Sequence, residues 1–367
     1  MSVIFVHREN IEGEKRVAVL PETVSRLKSK GHSVIIQEGA GLLSLISNEA
    51  YISAGATIEH SRSSGYEKAD VILSISPPSF DDLNLIKKGS VIISYAPSSL
   101  DTVAESYISK MNESGLLFLA VDRVPRTTLA QMMDVLSSQA SVVGYRSVLL
   151  AAEASPKLFP MLMTAAGTIH PAKVLVLGAG VAGLQAIATA KRLGAVVEAY
   201  DVRSAAKEQV ESLGAKFVNL EVADGTGQGG YAKELSDDQK LKQQQALAAV
   251  IAKQDVVITT AMIPGRAAPI LITSSMVEGM KEGAVVVDVA AERGGNCELT
   301  KPGERITTKG GILIIGDKNL ASGIPFTASQ MYSRNMEKLI NHISNSSGNL
   351  DIEAKLGDEI VRSMLIK

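Results

Sequence analysis

The sequence predicts an α/β protein whose parallel sheets are covered by helices. Three observations carry the prediction. Short β-branched and apolar runs recur along the chain with helix-like segments between them, the alternation that produces parallel sheets packed on both faces. The stretch Lys173–Arg203, KVLVLGAGVAGLQAIATAKRLGAVVEAYDVR, reads as strand, glycine turn, helix, strand and terminal acid. The 367 residues are enough for two such lobes, each with its own core.

Val3–Val6 is the first strand. A helix over Pro21–Lys30 follows, its leading proline suited to the first turn and Gly31 ending it. Further strands are expected at Ser33–Gln37, Val71–Ile75, Val91–Tyr95 and Leu116–Ala120, with a helix over Thr102–Met111. Thr128–Ala154 reads as one long helical stretch interrupted only by Gly144, and serves as the connection between lobes. Met161–Ile169, between Pro160 and Pro171, has no obvious core to enter. It reads as a protruding hairpin, which would seek a partner, or as an ordinary linker. After Arg203 come a helix over Ala205–Leu213, a short strand near Phe217 and a helix over Asp238–Lys253. Strands follow at Val256–Thr259, Ala284–Asp288 and Ile312–Ile315, and a helix over Thr327–Ser344 returns toward the first lobe. The tail beyond it is polar and carries no pattern.

Val174–Leu177 is a buried parallel strand bounded at once by glycine. Gly178, Gly180 and Gly183 then form G-x-G-x-x-G: the first for the tight turn, the second for close approach of a pyrophosphate, the third for packing of the next helix. That helix points its first N–H groups and positive dipole end at the phosphates. The next strand ends at Asp201, where a carboxylate meets both adenosine ribose hydroxyls and repels a 2′-phosphate. NAD(H) is therefore expected over NADP(H), a preference that Arg203, two residues on, works against. Gly178, Asp201, Thr260 and Asp288 should converge at the carboxyl ends of their strands. Between them, Gly225, Gly227, Gly229 and Gly230 lead to Tyr231 in a loop too polar to pack, read as a lid over the site.

Composition removes several functions. A net charge of −2 gives no electrostatic reason to bind nucleic acid or an anionic membrane, and the absence of tryptophan removes the strongest stacking platform. One cysteine, Cys297, excludes an intrachain disulfide. No apolar run approaches the ~18 residues of a membrane span, and MSVIFVHREN is too short in apolar residues for a secretory signal. His7, His32, His60, His170 and His342 are scattered, without metal-ligand spacing.

The densest polar cluster outside the fingerprint is Arg126, Gln131, Asp134 and Ser137, in VPRTTLAQMMDVLSSQASVVGYR. On a helix the last three would fan around one broad side and, with the arginine, could orient a carboxamide ring; a solvated helix face is the plain alternative. No group stands out to take an O–H or N–H proton. That gap is natural if the substrate is itself a hydride carrier, since transfer between two nicotinamide rings breaks no such bond and rests on positioning.

These stretches together with RVAVLPETV, MTAAGTIHPAKVLVLGAG, GGYAKEL, TTAMIPG and GGNC resemble, over essentially the whole chain, the NAD(H)-binding domain I of proton-translocating nicotinamide nucleotide transhydrogenases. The resemblance implies two Rossmann-like lobes with parallel sheets joined by long helices. One covers 1–135 and is completed by 325–367; the other covers 136–324, with a dimer-forming hairpin near 161–172, and NAD(H) lies at the cleft. It assigns Arg126, Gln131, Asp134, Ser137 and the lid tyrosine, Tyr231, to the nicotinamide side. It assigns Gly178, Gly180, Val181, Ala182, Gly183, Asp201, Val202, Arg203, Gly230, Gln243, Ala261 and Met262 to the rest of the nucleotide. It further implies a homodimer working with a membrane domain II and a domain III that holds NADP(H), on the cytoplasmic or matrix-equivalent face. Only one complete fingerprint is present here, so the second nucleotide is expected on a partner. Alanine dehydrogenases are similar too, including an arginine like Arg16. Their strand-end lysine and following histidine correspond to ADVILSISPP, with Ser74 and Ser76, and ISYAPSS, with Ala96, which argues against alanine oxidation.

Overall fold

The computed structural model describes residues 2–96, 104–220, 236–262, 266–345, 349–350, 352 and 355–366. The chain divides into two compact units, Met1–Gln139 with Ala321–Lys367, and Ala140–Leu320. The expected lid, with Gly230 and Tyr231, lies outside the described residues.

In the first unit, β1 (Val3–Val6), β2 (Ser33–Gln37), β3 (Thr57–Glu59), β4 (Val71–Leu73), β5 (Val91–Ser94) and β6 (Leu117–Ala120) form a parallel sheet in the order β6-β5-β4-β1-β2-β3. Ile4, Phe5, Ile72, Leu73, Ile92 and Ile93 are fully buried, because helices cover both faces and leave no solvated side. The tail corrects the expectation of a patternless end: Leu365–Ile366 adds an antiparallel strand beside β6. The helix Pro325–Ile343 packs on this sheet through Tyr332, Met336, Leu339 and Ile343, spaced by three and four along one face.

The second unit holds a hairpin and a sheet. β7 (Leu162–Thr164) and β8 (Gly167–Ile169) pair antiparallel, and every residue of both is exposed. The strands β9 (Lys173–Leu177), β10 (Val196–Tyr200), β11 (Lys216–Phe217), β12 (Val256–Thr259), β13 (Val285–Asp288), β14 (Arg305–Thr307) and β15 (Leu313–Ile315) are ordered β11-β10-β9-β12-β13-β15-β14. All pairings are parallel except β14 with β15, an edge strand the sequence pattern did not signal. The strand order reverses direction at β9, between β10 and β12, the crevice where open α/β sheets bind ligands.

Candidate functional site

In the second unit each fingerprint glycine occupies a different environment. Gly178 follows β9 with φ +100°, a conformation strained for any side chain, and an added Cβ would lie 2.7 Å from Thr260 Oγ1. Gly183 lies in the helix Val181–Arg192, where a Cβ would meet the Gly178 carbonyl oxygen at 1.9 Å, so strand end and helix touch backbone to backbone. Gly180, the N-cap of that helix, is exposed and has open space on its Cβ side. The first-turn N–H groups that follow it have no intrahelical partner. Among the described residues nothing lies within 4 Å of that Cβ position, and a helix N-terminus favours an anionic group.

Thr260 Oγ1 donates to the Gly178 carbonyl at 3.0 Å and ties the end of β12 to the glycine turn. Asp201, 8% exposed at the end of β10, takes four donors. Oδ2 accepts from Ala179 N at 2.7 Å and an Arg203 guanidinium N–H at 2.7 Å; Oδ1 accepts from Arg203 N and Nε at 2.9 and 2.8 Å. The carboxylate expected to face a ribose thus also holds the glycine turn, and its opposing cation lies folded against it. The same contact pushes the Arg203 pKa up. Val181 is exposed, Ala182 buried and Val202 half-buried.

At the end of β13, Asp288 is fully buried and accepts from Thr259 Oγ1, Ala290 N, Asn296 N, Cys297 N and Thr300 Oγ1. It shapes the turn that carries Asn296. That amide pairs in both directions with Ala261, Oδ1 accepting from Ala261 N at 3.0 Å and Nδ2 donating to Ala261 O at 2.8 Å, and it donates a second proton to Pro269 O. Ala261 is held and half-buried, whereas Met262 beside it is exposed. Gln243 lies on the helix Asp237–Ile251. Gly178, Asp201, Thr260 and Asp288 do converge at one edge of this sheet.

In the first unit the expected long helix is broken. Gln131–Met133 is a single 3₁₀ turn, and the α-helix begins only at Val135. Gln131, Asp134 and Ser137 therefore do not share a helix face, a correction to the sequence reading. Asp134 caps the helix instead: Oδ1 accepts from Ser137 N at 2.9 Å and Oδ2 from Ser137 Oγ at 2.6 Å. Gln131 and Arg126 are exposed. The sequence contained the Asp-x-x-Ser capping pattern, but an uninterrupted run of helix-forming residues around it concealed the break.

Among the described residues, the carboxyl edge of the first sheet is densely polar, and most of its buried groups are paired with one another. Arg16 is buried and makes two bonds to Glu14, Nε to Oε1 at 2.9 Å and a terminal N–H to Oε2 at 2.7 Å; its other terminal nitrogen reaches Gln139 Oε1 at 2.9 Å. Burial raises the Glu14 pKa, but the bonds to Arg16 outweigh it and hold it below its ordinary range. Glu9 accepts from Ile75 N and Ser76 N, and its burial pushes its pKa up to about 7. His7 shares a 2.5 Å hydrogen bond with Tyr66, and burial, aided by the Arg62 charge, brings it down to about 3. Ser74 Oγ is buried with no hydrogen-bond partner, and Ala96 offers only its backbone, to Asp122. Among the described residues no cluster could hold a metal ion, and no helix is long and apolar enough to cross a membrane.

Two family models match the chain: the N-terminal domain of alanine dehydrogenase/PNT over residues 5–143 and its C-terminal domain over 147–367. The chain is 42% identical to the first portion of the NAD(P) transhydrogenase alpha subunit of Rhodospirillum rubrum, over 98% of this chain and 94% of that protein. It is 30% identical to an alanine dehydrogenase of Mycolicibacterium smegmatis, over 79% of this chain and 72% of that one. A crystal structure of transhydrogenase from Sinorhizobium meliloti superposes with a TM-score of 0.88 at 43% identity, covering 100% of this chain and 98% of that one.

Proposed function

The chain belongs to the alanine dehydrogenase/PNT family, and from that membership we propose that it is the NAD(H)-binding component of a proton-translocating transhydrogenase. The nucleotide supplies a hydride at its nicotinamide C4. In this reading Gly180 and the first turn of the Val181–Arg192 helix take the pyrophosphate, and Asp201, Val202 and Arg203 the adenosine ribose. Ala261, Met262, Gln243 and Gly230 make further contacts. Arg126, Gln131, Asp134 and Ser137, with Tyr231, fix the carboxamide so that the ring cannot rotate. The acceptor is NADP⁺ on a separate domain III, the assembly includes a membrane domain II, and the exposed β7–β8 hairpin is the homodimer contact.

One observation carries the choice between the family's two activities. Amino-acid oxidation needs a group to hold the substrate and a base to take its proton. At the carboxyl edge of the first sheet stand Ser74, Ser76 and Ala96, with no amine among them, and the imidazole nearby, His7, is buried against Tyr66. Hydride transfer between two rings needs neither.

The test mixes the purified chain with domain III charged with NADP(H), then follows hydride exchange between NADH and an NAD⁺ analogue. Exchange that requires both components is expected. Turnover of pyruvate, ammonia and NADH by the chain alone would overturn the reading.

A further inference from the structure

We infer that Asn335 is a positioning residue for hydride transfer: from the middle of the Pro325–Ile343 helix it ties the 3₁₀ turn that carries Gln131 to the helix start that carries Asp134 and Ser137. The inference rests on the role proposed above for those three residues.

An asparagine is an unfavourable choice in a helix interior and an expensive one to bury unless its amide is satisfied. Asn335 is 8% exposed. Its Nδ2 donates to Met132 O at 2.8 Å, inside the 3₁₀ turn, and its Oδ1 accepts from Ser138 Oγ at 2.7 Å, in the first turn of the following helix. The orientation is set by chemistry, since a backbone carbonyl can only accept. One side chain thus joins the two segments that flank Asp134, at the point where the backbone changes from 3₁₀ to α. A 3₁₀ turn has weaker hydrogen-bond geometry than an α-helix, and this one ends at Asp134 in an extended conformation, φ −73° and ψ 92°. The local bonds run from Asp134 to Ser137 and Ser138, whereas Asn335 reaches Met132, inside the turn itself.

The neighbouring contacts make the anchor rigid. Gln139, one residue beyond Ser138, is held by Arg16 at 2.9 Å and donates from Nε2 to Ala328 O at 3.0 Å, on the same helix as Asn335. Arg16 is fixed in turn by Glu14, which accepts from Ser322 Oγ. The Asn335 and Gln139 side chains act as two bolts that engage the Pro325–Ile343 helix about two turns apart, at Asn335 itself and at Ala328. Only the Asn335 bolt reaches the Gln131–Met133 turn itself. Its loss should leave nucleotide affinity, which the second unit's glycine turn supplies in this reading, nearly intact. The orientation of the ring should suffer.

The test compares Asn335→Asp and Ser138→Ala with the unaltered chain. Asn335→Asp keeps the acceptor toward Ser138 but sets an oxygen against Met132 O; Ser138→Ala removes the second arm and is the safer variant for folding. Three quantities are read: NADH affinity, the rate of exchange with domain III, and amide hydrogen exchange of residues 131–137. The expected result for Asn335→Asp is affinity within about twofold and exchange at least about tenfold slower, with faster amide exchange confined to that segment; Ser138→Ala should move the same way by less. Wild-type exchange rates with unaltered amide protection in both variants would overturn the inference, as would equal losses in affinity and rate. Failure of the unaltered chain to exchange hydride is a different result, and it would refute the proposed function rather than the anchor, which the amide exchange still tests.

Discussion

Gly144→Ala sets two simple rules against each other. Gly144 lies in the helix Val135–Ala154, where replacing glycine by alanine should stabilise by about 1 kcal/mol from propensity alone. The tertiary structure argues the reverse. A Cβ at this position would lie 2.1 Å from Ala182 O, 2.9 Å from Ala182 C and 3.0 Å from Gln185 Cβ. An ordinary non-bonded contact is about 3.5 Å, so the first turn of the Val181–Arg192 helix must retreat by more than ~1 Å. The obstruction is backbone, which cannot rotate away as a flexible side chain would. Overpacking of this kind costs about 1–3 kcal/mol, so the net change should be a loss of about 1 kcal/mol and a Tm lower by about 2–4 °C. That displaced turn is the one proposed to hold the pyrophosphate, and NADH affinity should fall about tenfold. Calorimetry and a binding titration on the same preparation check both parts. A variant that melts higher and binds NADH as before would refute the claim that this close approach sets the position of the helix.

The remaining predictions concern the first unit and the nicotinamide side. Glu9→Gln should gain stability relative to the unaltered chain as pH rises. The Glu9 carboxyl titrates near 7 when folded against 4.5 ordinarily, so it stabilises below about 4.5 and loses that contribution as pH climbs through 7. At about 1.36 kcal/mol per pH unit the difference approaches about 3 kcal/mol, read from urea unfolding at several pH values; a difference independent of pH would show that Glu9 ionises freely. Arg16→Ala strands a buried Glu14 carboxylate and should cost about 3–5 kcal/mol in the same assay, with a cost below about 1 kcal/mol contradicting the burial of the pair. Gln131→Asn should leave NADH affinity nearly unchanged and slow hydride exchange, and an unchanged rate would remove Gln131 from the ring site.

Much of this architecture was legible because parallel strands buried on both faces read as short continuous apolar runs, and Val174–Leu177 or Val285–Val287 admits little else. The glycine turn was legible for a different reason, being local: three glycines, a helix and an acid need no tertiary context. Three edge strands were not legible. Thr57–Glu59, Arg305–Thr307 and Leu365–Ile366 are two or three residues long and mostly half-exposed or exposed, so neither alternation nor a solid apolar run marks them. The 3₁₀ turn at Gln131–Met133 was hidden because nothing around it breaks a helix; what breaks it is the Asp134 side chain turning back onto Ser137. Asn335 and Asn296 carry no sequence signal either. An isolated asparagine looks like surface until the carbonyl it donates to, Met132 O or Ala261 O, is seen beside it.

The two units present the same topological feature, the carboxyl edge of a parallel sheet, and treat it in different ways. In the second unit, among the described residues, Gly180 has nothing against its Cβ side, and Asp201, Thr260 and Asn296 each hold neighbouring backbone, Asp201 also its own Arg203 guanidinium, so the shape of the surface is fixed. In the first unit, among the described residues, the polar groups at the corresponding edge pair with one another. Glu9 accepts the amides that end β4, Glu14 neutralises Arg16, and Tyr332 donates to Ser74 O. A carboxylate approaching Arg16 there would compete with Glu14, which already holds it through two hydrogen bonds. The internal pairing therefore weighs against Arg16 serving a small acidic substrate. It also gives that edge a mechanical use, since the Glu14–Arg16–Gln139 chain ends on the helix that Asp134 caps and whose first turn carries Ser137.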